Sequence, residues 1–152
     1  MEQAQAQLDG FIDKFDPQVA ALARALLARM RSRLPGATIL VYDNYNALAI
    51  GFAPTDRASQ AMLSLAVYPR WVNLFFLQGA GLPDPHGLLK GSGSRVRHVR
   101  CLDEAVLDDP RIEALIAEAL ARSEPPLDPS ARQRLIIKSA LAKQRPRRPG
   151  AI

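Results

Sequence analysis

The sequence predicts an α+β domain: an antiparallel sheet of about five strands, mainly a meander, with two N-terminal helices and C-terminal helices packed on it. Three observations predict it. Apolar residues keep a helical spacing up to Leu34, alternate between residues 37 and 78, and return to helical spacing after Asp109. The alternating segments are joined by connections too short for parallel crossovers, which favours antiparallel pairing. Asp-Pro occurs four times, at Asp16-Pro17, Asp84-Pro85, Asp109-Pro110 and Asp128-Pro129. Aspartate is a good N-cap and proline suits the first helical position, where its missing N–H costs nothing, so each pair reads as a helix start.

Leu8, Phe11, Ile12 and Phe15 mark a first, short amphipathic helix. The Asp16-Pro17 pair opens a longer one, whose apolar face is Val19, Leu22, Ala23, Leu26, Leu27, Met30 and Leu34; Pro35-Gly36 ends it. Thr38 to Tyr42 is a β-rich run. Leu48, Ile50 and Phe52, then Leu63, Leu65 and Val67, then Val72, Leu74 and Phe76 alternate with smaller or more polar residues. Asp43-Asn44 and Pro69-Arg70 supply tight turns. Arg95 to Cys101 is a fifth strand. Asp109-Pro110 opens a helix carrying Ile112, Leu115, Ile116, Ala119 and Leu120 on one side. Asp128-Pro129 is expected to open a basic helix with Leu135, Ile136 and Ala140, ended by Pro146 and Pro149.

The sheet faces differ. One is aliphatic or aromatic throughout and is expected to pack on the helices. The other mixes Ala, Gly, Ser and Asn with Met62, Tyr68, Trp71 and Phe75, too polar for a dry core and too aromatic for bare water. Three covers suit it: the C-terminal helix, a second subunit, or a ligand. Cover by the chain's own elements is the first expectation.

A chain of 152 residues suits one domain, with a core large enough to need no disulfide staples. A single cysteine, Cys101, forms no internal disulfide and no multi-cysteine zinc site. No run approaches the ~18 apolar residues of a membrane span, and Met1-Glu2-Gln3-Ala4-Gln5 lacks the features of a signal peptide. A cytoplasmic protein is expected. All 15 acidic residues lie at or before Asp128, whereas Arg132, Arg134, Lys138, Lys143, Arg145, Arg147 and Arg148 follow it. These seven exceed the whole net charge of +5, so the body is slightly acidic and the high pI belongs to the C-terminal segment. Such a segment is either a solvated end or a holder of polyanions.

Lys90-Gly91-Ser92-Gly93-Ser94 has two readings. Backbone N–H groups there, with Lys90, Arg95, Arg97 and Arg100, form an anion cradle; alternatively, the glycines supply positive φ in a turn. The GxxxxGK[ST] order is missing and a strand follows rather than a helix, which favours the turn. Asp84 reads as the cap of the turn Pro85–Leu89. His86 and His98 match no zinc spacing. His98 and Cys101, three apart on one strand, point to opposite faces and make no dyad. Tyr42-Asp43-Asn44-Tyr45-Asn46 suits a hairpin turn and a ligand rim equally well. Asp9, Asp13 and Asp16, and the pairs Asp103-Glu104 and Asp108-Asp109, are acidic patches that suit hard cations or plain solvation. No GxSxG, HExxH or EF-hand pattern occurs.

Gly79, Leu82, Asp84-Pro85, Gly87-Leu88-Leu89, Gly91, Gly93 and Arg97, following Val72-Asn73-Leu74-Phe75-Phe76, resemble the YdhG-like family, a bacterial domain-of-unknown-function family. Tyr42 to Leu48 and the helix from Asp109 fit its layout. The resemblance runs from residue 8 to residue 122 and leaves the segment after Asp128 outside. It implies a small α+β domain and no established enzymatic reaction. One branch of the family is proposed to be a frataxin-like iron chaperone, but no motif carries iron ligands onto residues of this chain.

The expected organisation is one YdhG-like α+β domain over residues 1–128 and a basic C-terminal helix and tail over residues 129–152. The expected function is a non-enzymatic binding or interaction module that needs no cofactor. It works through the mixed sheet face and the 79–97 loop, with Lys90, Gly91, Gly93, Arg95, Arg97, Tyr42 and Trp71 as candidate anion- or ligand-binding residues and no catalytic ones. The alternatives are an intracellular iron chaperone, whose metal ligands are unknown, and nucleic-acid association through residues 132–148. Expected partners include a second copy bound through the mixed face or the C-terminal helix; a membrane is not among them.

Overall fold

The computed structural model describes residues 2–150. Met1, and Ala151 and Ile152 of the expected tail, lie outside the described residues. Helices α1 (Glu2–Ile12), α2 (Pro17–Arg33) and α3 (Pro110–Ala121) form one layer. Strands β1 (Thr38–Asp43), β2 (Leu48–Ala53), β3 (Leu63–Val67), β4 (Val72–Phe76), β5 (Arg97–Cys101) and β6 (Arg134–Ala140) form the other. The sheet order is β5-β4-β3-β2-β1-β6. β1 to β5 make the expected antiparallel meander.

Two expectations are corrected. The sheet has six strands and is mixed, because β6 runs parallel to β1. The segment expected as a basic C-terminal helix is that sixth strand. Asp128 does not cap a helix: its carboxylate accepts from Ser130 N at 2.9 Å and from Ser130 Oγ at 2.6 Å, closing a turn. Leu135-Ile136-Ile137 then sits opposite Ile39-Leu40-Val41, where β-branched side chains pack well on a pleated surface. Asp84-Pro85 opens no helix, but Asp84 caps the expected turn Pro85–Leu89, accepting from the N–H groups of Leu88 and Leu89 at 2.9 and 3.0 Å. Of the other two pairs, Asp109 caps α3 through Arg111 N at 2.9 Å, while Asp16 precedes α2 without a side-chain cap bond.

One face of the sheet meets the helices. Ile39, Val41, Ile50, Phe52, Leu65 and Leu74 share a continuous core with Leu8, Phe15, Leu26 and Met30 of the N-terminal helices and with Ile112 and Ile116 of α3. Burying each such Leu, Ile or Phe side chain contributes about 1.5–3 kcal/mol. Met62, expected on the mixed face, joins this core. Cys101 is buried there too; burial raises its thiol pKa to about 11, against a small lowering by a backbone hydrogen bond at Leu74. At pH 8 only about one thiol in a thousand is then ionised. Labelling by a disulfide reagent is expected to be slow in the folded protein and to accelerate at least a hundredfold in denaturant; fast native labelling would contradict this burial.

Candidate functional site

The other face of the sheet carries no helix. Strand register puts Tyr42, Ala49, Ala66, Asn73 and Arg100 in one row across β1 to β5, and Leu40, Gly51, Ser64, Phe75 and His98 in the next. None of these ten belongs to the core shared with the helices. The centre of the face is built of small residues because Ala49, Gly51, Ser64 and Ala66 occupy the alternate positions of β2 and β3. Larger side chains stand around them. The result is an open groove of about 480 Å³, with Ala49, Ser64 and Ala66 on its floor, Tyr68 and Phe75 on one wall, and Tyr45 and Leu141 on the other.

The chain itself accounts for this shape. The C-terminal segment extends the sheet at β1 instead of folding over the face, so the cover first expected for it is not supplied. After β6 the chain turns along the end of β1. Leu141 N donates to Asp43 O and Arg145 N donates to Tyr45 O, each at 2.9 Å. A second depression then opens between Tyr68, Trp71, Arg70, Arg145 and Arg148. Asn46 and Tyr68 line both depressions, so the two are continuous.

The aromatic corner is ordered by stacking. Tyr68 and Trp71 follow β3 and precede β4, both on the helix-free face, with ring centroids 5.8 Å apart. The Arg100 guanidinium lies over the Trp71 ring, 4.2 Å from its centroid, an attraction between cation and ring quadrupole. Phe75 and His98 are direct cross-strand partners with centroids 5.3 Å apart. Burial, and secondarily the charge of Arg100, hold the His98 pKa below the usual imidazole value, so it stands neutral beside Phe75 at pH 7. Two buried polar atoms of this face lack partners: Tyr42 Oη and Asn73 Oδ1. Burial pushes the Tyr42 phenol up.

The seven candidate residues separate into two places. Tyr42 and Trp71 belong to the helix-free face. Lys90, Gly91, Gly93, Arg95 and Arg97 belong to the loop at the outer edge of β5. Lys90 pairs with His98 through two backbone hydrogen bonds of 2.8 and 2.9 Å, extending the sheet edge. Gly91, at φ +122°, takes a left-handed turn that any side chain would strain. Gly93 and Arg95 are exposed. Arg97 folds back, its Nη1 donating to Gly93 O at 2.6 Å and to Val96 O at 2.8 Å, so it closes its own loop. The cluster Tyr42 to Asn46 also divides: Asn44, Tyr45 and Asn46 border the groove, while Asp43 is buried at the far side.

The acidic patches lie with the helices, and several of their carboxylates are engaged by arginines: Asp13 by Arg24, Asp108 by Arg29, Asp109 by Arg111. Among the described residues no three His, Cys, Asp or Glu side chains converge to hold a metal ion, and no helix is long and apolar enough to cross a membrane. Sequence reasoning missed Arg70, Arg100 and Arg145 as members of the aromatic corner. The alternation of Asn73 and Phe75 on the mixed face was the one available signal, and through the register partner of Asn73 it reached Arg100 alone.

The fold and site define an α+β domain with one open sheet face. Comparison with protein-family models, with curated proteins and with solved structures found no match. None of these comparisons supports the YdhG-like resemblance.

Proposed function

We propose that the protein is a non-enzymatic binding module whose ligand lies on the helix-free face of the sheet. The observation that carries this reading is the groove itself: a floor of small residues, Ala49, Ser64 and Ala66, between the aromatic side chains Tyr45, Tyr68 and Phe75. A concave, mainly apolar site with a few polar groups is the usual form of a ligand pocket. The aromatic walls favour a ligand with a flat face.

The test is to titrate isotope-labelled protein with a library of small planar acids and follow backbone amide shifts. Shifts are expected to cluster on Ala49, Ser64, Ala66, Tyr68 and Trp71, and to disappear in Ala66→Trp, which fills the floor. Shifts confined to the helices or to Lys90–Arg97 would refute the reading.

A further inference from the structure

We propose that this face holds single-stranded nucleic acid, with bases against the Tyr68–Trp71 corner and phosphates on Arg70, Arg100 and Arg145. The proposal rests on the reading above and adds the ligand class.

Charge is the first argument. No Asp or Glu lines either depression, whereas Arg70, Arg145 and Arg148 do, with Arg100 beside them on Trp71. Among the described residues, no carboxylate stands within ion-pair distance of Arg70, Arg100 or Arg145. Arg148, by contrast, donates to Lys14 O at 3.1 Å and lies 3.9 Å from Asp16. The two depressions thus present arginines and no carboxylate among their lining residues, a surface that attracts polyanions.

The aromatic rings choose among polyanions. An acidic peptide or an inorganic phosphate leaves Tyr68, Trp71 and Tyr45 without a role, whereas an unpaired base has a flat face for each. Arginine beside a ring is the arrangement that tracks phosphates while bases stack. Arg100 lies over Trp71 and Arg145 lies 5.6 Å from the Tyr45 centroid, so two ring–cation pairs flank the continuous groove. β4 and β1 are three strand spacings apart, about 14 Å, the reach of a few nucleotides of extended strand. Paired bases in a duplex hide the flat faces that this surface needs, so single strands are the better fit.

Trp71 is the only tryptophan, so its fluorescence reads the corner directly. The experiment titrates the full chain with a fluorescein-labelled twelve-nucleotide oligo-dU and, separately, with a hairpin duplex, polyphosphate and poly-glutamate. Expected are quenching of Trp71 by oligo-dU and a log–log salt slope of about −2, from three phosphate contacts at about −0.7 each. Arg100→Ala, an exposed surface change, and Trp71→Ala are each expected to weaken anisotropy-measured binding by at least about tenfold. Trp71→Phe is expected to retain most of the affinity, which separates stacking from misfolding. Four results would overturn the proposal: no saturable oligo-dU binding; equal affinity for polyphosphate or poly-glutamate; preference for the duplex; or loss through Arg132→Ala but not Arg100→Ala. If planar acids still perturb the groove amides while oligo-dU fails, the nucleic-acid inference falls and the groove reading stands.

Discussion

Replacing Arg147 with alanine is expected to lower stability by about 3–5 kcal/mol, read as a shift of the urea midpoint with an unchanged slope. Sequence position makes this surprising, since Arg147 lies near the end of a basic, proline-rich segment. In the fold it is 5% exposed. Its Nη2 donates to Asp43 Oδ1 at 2.9 Å and to Asn44 O, and its guanidinium lies 5.6 Å from the Phe15 ring centroid. Asp43 is as deeply buried, and Lys14 Nζ reaches its other oxygen at 2.6 Å. Removing Arg147 leaves a buried carboxylate with one partially exposed lysine. Removing one member of a buried pair costs more than the pair contributes, because the remaining charge stays desolvated. A change below about 1 kcal/mol would show that the segment after Ala140 detaches freely.

The same group sets a pH dependence. Burial alone pushes the Asp43 carboxyl up; hydrogen bonds from Lys14, Gln144 and Arg147 and the charge of Lys14 together outweigh it and hold the pKa below the ordinary 3.8. A carboxyl depressed in the folded state contributes stability that is complete above its unfolded pKa and is lost as pH falls through the folded value. Wild-type stability is therefore expected to decline below about pH 4, and Asp43→Asn to flatten that part of the curve.

Gly36→Ala is expected to cost about 3–5 kcal/mol, through left-handed strain and a backbone collision together. Gly36 has φ +82°, and an added Cβ would stand 1.9 Å from Asp128 O and 2.9 Å from its carbonyl carbon. Neither neighbour is a side-chain end that swings aside. Asp128 is the residue whose turn delivers β6 to β1, so the collision displaces the path into the sixth strand. Thermal unfolding monitored by circular dichroism reads the effect. As a control, Gly87→Ala, also at positive φ but with nothing within 4 Å, is expected to cost no more than the strain, about 1–2 kcal/mol. Equal losses at the two sites would remove the collision from the account.

The helices and the meander were legible because their signals are local. Leu22, Leu26 and Met30 repeat at helical spacing, and Leu63, Leu65 and Val67 alternate on a strand whose neighbour follows four residues later. β6 was not legible in the same way. Leu135-Ile136-Ile137 is a short apolar run that suits a helix or a strand, and its partner lies almost a hundred residues upstream. The analogy among four Asp-Pro pairs pointed to a helix, whereas Ser130 draws the Asp128 carboxylate into a turn. The β-branched Ile136-Ile137 pair was the signal for the strand. At the site, the mixed character of one sheet face was readable from Ala49, Ser64, Ala66 and Phe75. That no helix covers it was not, because cover depends on where the last segment goes. The burial of Arg147 left no trace in the pattern at all.

The sixth strand has a consequence for the newly made chain. β1 pairs on one side with β2, which follows within a few residues, and on the other with β6, which comes last among the six strands. At roughly 5–20 residues per second, the outer edge of Thr38–Asp43 waits about 5–20 s for its partner. During that time Ile39, Leu40 and Val41 offer open backbone hydrogen-bonding groups next to apolar side chains, the combination that invites strand addition from another chain. The domain is most vulnerable to aggregation before Arg134–Ala140 leaves the ribosome.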